Sequence, residues 1–147
     1  MCFACSWIVL ASLVVAPSSR REWLADYGEA LAATKQSQRP LLIVIDQQSK
    51  WLAHFESASE IGQPLSPSLL KMYTLCHVDA TTPYGKAVAA AFRTSTYPTT
   101  VIIDKTGAVQ LIKRTGRLSA AALTSMLVAH QDGKRPVAAA QPFVCRT

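Results

Sequence analysis

Three short apolar runs, Leu41–Ile45, Leu75–Val78 and Thr99–Ile103, constrain this chain more than any other feature. The first and third are continuous and rich in branched residues, and each is too short for a buried helix. Continuous rather than alternating hydrophobicity marks strands covered on both faces. A sheet covered on both faces needs helices above and below it, and the stretches between the runs can supply them.

From Glu22 to Gln38 the apolar positions Trp23, Leu24, Tyr27, Ala30, Leu31 and Ala33 or Thr34 recur at helical spacing, which predicts an amphipathic helix ending before Arg39-Pro40. Asp46, Gln47, Gln48 and Ser49 then turn the chain into a helix carrying Trp51, Leu52 and Phe55. Gly62, Pro64 and Pro67 break up the next stretch, and Ser66-Pro67 starts a short helix through Leu69, Leu70 and Tyr73. Thr82-Pro83 opens a helix whose apolar face is Val88, Ala91 and Phe92. After Tyr97-Pro98, the runs Thr99–Ile103 and Ala108–Lys113 flank Asp104-Lys105-Thr106-Gly107, which predicts a β-hairpin. Ser119 is placed to cap a last helix bearing Leu123, Met126 and Leu127. Strands separated by helices run parallel and the hairpin runs antiparallel. The expected class is therefore α/β, a mixed four-stranded sheet of two parallel strands plus a hairpin, with helices on both faces.

The 147 residues suffice for one domain, and with half of them hydrophobic and 16% charged the chain belongs to the globular class. Residues 22–131 are expected to form that domain and 132–147 a weakly ordered tail, since Gly133, Pro136, an alanine run and Pro142 follow the last helix pattern. The formal charge of +6 is scattered over Arg20, Arg21, Lys105, Lys113, Arg114, Arg117, Lys134 and Arg135. No aromatic platform interleaves these cations, so a solvated basic surface is expected and nucleic acid is not.

Residues 1–19 contain an apolar run from Cys2 to Ala16 that ends in small residues and Pro17. The run is shorter than the ~20 residues of a spanning helix and closer to the apolar region of a secretory signal. No Lys or Arg precedes it, and Pro17 follows the Val14-Val15-Ala16 cleavage position. Export to a periplasmic or extracytoplasmic compartment is the leading expectation; a retained membrane anchor and a buried first helix stay open.

The element order, together with Val78-Asp79, Thr81, Gly85, Phe92, Tyr97-Pro98-Thr99, Val101-Ile102-Ile103-Asp104, Thr106-Gly107 and Val109, resembles the thioredoxin superfamily. It is most similar to the exported thioredoxin-like domains related to the carboxy-terminal domain of DsbD. Arg39-Pro40 before the first strand and Gly116 with Leu118-Ser119 before the last helix also match, so the resemblance spans Trp23 to His130. It implies a cis bond before Pro98, beside the site where family members bind their substrates.

In that family a Cys-x-x-Cys motif follows the first core strand, where the helix N-terminus lowers the thiol pKa. An ungapped register from Arg39-Pro40 places Lys50 and Ala53 at the two cysteine positions, and no cysteine occurs between Cys5 and Cys76. The strand acid that handles protons in thioredoxins falls on Val44 in the same register.

The remaining reactive side chains give little chemistry. Cys76 reads as a small buried hydrophobe in the second strand, with a reactive thiol as the competing reading. Cys145 lies near the chain end and is the one partner left for Cys76 if Cys2 and Cys5 are removed with a signal; an oxidising compartment would permit their bridge. His54, His77 and His130 stand on separate elements without ligand spacing, so no metal is expected. No G-x-S-x-G elbow or glycine-rich phosphate loop is present, and no cofactor is expected.

The sequence thus points to a thioredoxin-like module without the redox pair, holding a peptide or protein partner in an envelope compartment. The expected groove is lined by Lys50, Trp51, Tyr97 and Pro98, with Trp51 open to a second reading as core packing. A redox protein working through one thiol, Cys76 or Cys145, and a purely structural accessory domain are the alternatives.

Overall fold

A computed structural model of the chain describes residues 23–47 and 65–134. The apolar first segment, the Trp51 helix with Lys50 and His54, and the tail with Cys145 lie outside the described residues.

The elements follow in the order α1 (Tyr27–Ser37), β1 (Leu41–Asp46), α2 (Pro67–Leu70), β2 (Thr74–Asp79), α3 (Pro83–Ala91), β3 (Thr99–Ile103), β4 (Gln110–Thr115) and α4 (Ala120–His130). They build one four-stranded sheet in the order β2-β1-β3-β4. β1 runs parallel to β2 and antiparallel to β3, and β3 pairs antiparallel with β4. The expected mixed sheet of two parallel strands plus a hairpin is observed, but the rule that strands separated by helices run parallel holds only for β1 and β2: the α3 connection returns the chain to the end of the sheet where β1 finishes, so β3 starts opposite Ile45 and runs antiparallel.

β1 is central, and all six of its residues are buried. Its alternate side chains feed two cores. Leu42 and Val44 join Leu75 and Ile102 against Leu69, Leu70, Tyr73, Leu123, Met126 and Leu127, so α2 and α4 cover this face. Leu41, Ile43 and Ile45 join Cys76, Val78, Val101 and Ile103 against Ala30, Val88 and Ala89, so α1 and α3 cover the other. Burying each large aliphatic side chain here contributes ~1.5–3 kcal/mol relative to exposure. Two-sided burial is the physical reason the run shows no polar alternation.

Local chemistry sets the helix ends. Thr82 caps α3 by accepting from the Gly85 amide at 2.9 Å, with Pro83 in the first turn. Ser119 caps α4 through the Ala122 amide at 3.2 Å. Helix α1 begins later than its periodicity predicts, at Tyr27 and not at Glu22. Asp26 accepts from the Glu29 amide at 2.8 Å and starts the helix there. Upstream of that cap Leu24 pairs in parallel with Cys76: its amide donates to the Leu75 carbonyl at 3.0 Å and its carbonyl accepts from His77 at 2.8 Å. Leu24 therefore lies along the outer edge of β2, with Leu24 and Tyr27 packed on one core and Trp23 on the other, so the helical spacing of the three is not a shared helix.

In the β3–β4 connection the Asp104 carboxylate accepts from the Thr106 hydroxyl and from the Ala108 and Val109 amides, while Gly107 takes φ 73°. Lys113 reaches across from β4 to donate to the Phe92 and Arg93 carbonyls, satisfying the C-terminal end of α3.

Candidate functional site

The parallel register of β1 and β2 brings their last residues, Asp46 and Asp79, side by side. The antiparallel register sets Ile45 opposite Thr99, so the Tyr97-Pro98 loop enters the sheet beside the end of β1. One end of the sheet therefore gathers Asp46, Asp79 and the Tyr97-Pro98 loop.

Hydrogen bonds fix this end. The Ala80 amide donates to the Asp46 carbonyl at 2.7 Å, which locks the exit of β2 onto the end of β1. Asp79 Oδ1 accepts from the amide and the hydroxyl of Thr81, turning the chain into α3. In the opposing loop the Tyr97–Pro98 bond is cis. The Thr99 hydroxyl donates to the Thr96 carbonyl at 2.6 Å, and the Gly116 amide donates to the Pro98 carbonyl at 2.8 Å. Among the described residues no hydrogen bond engages the Tyr97 main chain. Its ring is half-buried against the core under α1 and α3.

Sequence reasoning missed the acid at this end. Asp46 reads as the first residue of a turn, yet it is the last residue of β1 and only 2% exposed. Its Oδ1 lies 2.7 Å from Nε2 of His77, which sits on the neighbouring strand and the same face of the sheet. An acid closing an uninterrupted apolar run, with a histidine inside a second such run, was the available signal. Val44, which takes the acid's place in the ungapped register, is fully buried on that same face.

Cys76 belongs to the opposite face. It is fully buried between the sheet and helices α1 and α3. Burial, reinforced by the negative charge of Asp26, pushes its thiol up to about 12. A thiol held protonated and out of solvent is a poor nucleophile. Lys50, Trp51 and Cys145 fall outside the described residues, so of the expected groove only Tyr97 and Pro98 are placed. Among the described residues no group of three or more His, Cys, Asp or Glu is arranged to hold a metal ion. Among them, too, no helix is long and apolar enough to cross a membrane.

No protein-family model and no curated protein matches the chain. Solved structures do. A thioredoxin from Thermus thermophilus superposes with a TM-score of 0.60 at 21% identity, over 77% of this chain and 91% of that one. Oxidised thioredoxin O2 from Arabidopsis thaliana gives 0.53 at 16% identity, over 75% and 95%. The oxidised C-terminal domain of DsbD from Neisseria meningitidis gives 0.53 at 14% identity, over 74% and 98%. At these identities the likeness is one of fold: the chain has a thioredoxin-like fold.

Proposed function

We propose that this chain is a non-catalytic thioredoxin-fold module that holds an extended peptide or protein segment at the Tyr97-Pro98 loop. The observation that carries this reading is the unengaged main chain of Tyr97 at the end of the sheet where Asp46 and Asp79 also terminate. An unengaged main-chain segment leading into a strand at a sheet end can take an extended peptide by main-chain hydrogen bonds, and such pairing requires no cysteine.

The cysteine distribution supports the non-catalytic half of the reading. No cysteine follows β1 before Cys76, whose thiol is buried and protonated. The one Cys-x-x-Cys spacing in the sequence, Cys2 to Cys5, falls in the apolar first segment and not after β1. That segment also supports export, with the module acting in an envelope compartment.

Two measurements on the purified full chain test this. First, dithiothreitol-driven reduction of insulin should run no faster with the chain than without it, because exchange requires a thiolate that forms and then resolves a mixed disulfide. Acceleration that disappears on Cys76→Ser, or on replacing Cys2 and Cys5 with Ser, would establish a redox function and overturn the proposal. Second, a photo-reactive residue at position 97 should cross-link peptides from a random extended library, and the same residue at Val109, on the β3–β4 turn, should not. Equal labelling at both positions would leave the loop without a binding role.

A further inference from the structure

A concavity lies at the other end of the sheet, where β2 begins. It has a volume of about 360 Å³ and lies against Leu24, Leu70 and Leu75, with Arg39, Lys71 and Thr74 completing much of its lining. The volume is that of a small-ligand site, and its walls are mainly apolar.

Two features specify the chemistry. Arg39 Nη1 donates to the Lys71 carbonyl at 3.1 Å, which holds the guanidinium beside the Lys71 main chain in the lining and uses only one of its five N–H donors. Among the described residues the lining includes the cations Arg39 and Lys71 and no acidic side chain. Cations among apolar walls suit an anionic head on a hydrocarbon body.

The geometry points to a binding site for a medium-length alkyl carboxylate, its head between Arg39 and Lys71 and its chain along Leu24, Leu70 and Leu75. A peptide suits this site less well. Its amides would need partners, and on the β2 edge above the cleft Leu24 already takes up the Leu75 carbonyl and the His77 amide. The site is separate from the Tyr97-Pro98 loop, which lies at the opposite end of β2, and it stands whether or not that loop binds a peptide.

The test is a titration of the full chain, followed by amide chemical shifts, with decanoate below its micelle concentration, decanol, acetate and a short apolar peptide ending in Leu. Decanoate should bind saturably and shift the amides of Leu24, Lys71 and Leu75. The double variant R39Q/K71Q should weaken decanoate at least tenfold while leaving the other amides in place, and Ala33→Trp, which fills the cleft from α1, should abolish binding. Equal binding of decanol would reduce the site to an apolar patch, and saturation by acetate would reduce it to an ion site. Tighter binding of the peptide, or decanoate shifts confined to other residues, would also overturn the assignment.

Discussion

His77 Nε2 and Asp46 Oδ1 lie 2.7 Å apart across two parallel strands, with the aspartate side chain 3% exposed and the histidine 12%. The two residues are 31 positions apart in sequence and meet because β1 and β2 share a register that sets Val44 opposite His77. A carboxylate this deeply buried depends on the hydrogen bonds it receives.

His77→Leu should therefore destabilise the domain by about 1–3 kcal/mol, the cost of withdrawing a partner from a buried polar group. Urea denaturation would measure it as a lower midpoint at unchanged slope. A variant as stable as the parent would mean that Asp46 does not depend on the histidine.

Cys76 should resist alkylation in the native chain and react readily once unfolded, because burial both shields the thiol and holds its pKa at about 12. Iodoacetamide labelling with and without denaturant, read on the Cys76 peptide by mass spectrometry, separates it from the other cysteines. Rapid native labelling would require this face of the sheet to open.

Gly85 should tolerate no side chain. A Cβ at that position would stand 1.9 Å from the Asp79 carbonyl oxygen and 2.5 Å from its carbon. Both partners are backbone, and the Asp79 turn is tied down by Thr81 and by the Thr82 hydroxyl, so neither can yield cheaply. Gly85→Ala should cost on the order of 3 kcal/mol, at the upper end for overpacking, and lower the thermal midpoint accordingly. An unchanged midpoint would show that the first turn of α3 can move off β2.

Asp104 links stability to pH. Burial by itself would raise its pKa, but hydrogen bonds from the Thr106 hydroxyl and from the Val109, Ala108 and Thr106 amides outweigh burial and hold it below the ordinary 3.8. A group whose pKa is lower in the folded state stabilises the fold at pH above its unfolded value and loses that contribution as acid protonates it. Asp104→Asn should therefore be less stable than the parent at pH 7, with the gap closing as pH falls through 3.8 and below. A gap independent of pH would assign the loss to geometry and not to charge.

How much of this was legible in the sequence depended on how local its causes were. Thr82-Pro83 and Ser119 marked their helix starts because a cap acts within three residues, and the hairpin was legible because Asp104 and Gly107 sit inside the turn they make. The periodicity misplaces the start of α1 because Leu24 keeps helical spacing to Tyr27 while pairing with a strand some fifty residues away. Asp46 was read as a turn residue for the same reason, since its partner His77 is supplied by the fold. The thioredoxin-like fold was legible from element order and the residues around Pro98. The groove was less so, because Lys50 and Trp51 were placed by a register that no shared cysteine anchors.

The Leu24 pairing has a consequence for how the chain behaves among its own copies. A sheet of four strands has two outer edges, and an uncovered edge recruits strands from neighbouring molecules. The β4 edge carries Lys113 and Arg114, with Arg117 just beyond, and copies approaching there meet like charge. β2 has no basic pair of this kind, and its edge is guarded by cover, with Leu24 occupying the Leu75 carbonyl and the His77 amide. A chain beginning at Ala25 would keep every strand residue but lose that guard, together with the Trp23 and Leu24 side chains packed against the two cores, whereas one beginning at Trp23 would keep both. Sedimentation should show the chain beginning at Ala25 self-associating more than the chain beginning at Trp23, so that Trp23 and Leu24, upstream of the first helix, decide whether the domain stays solitary.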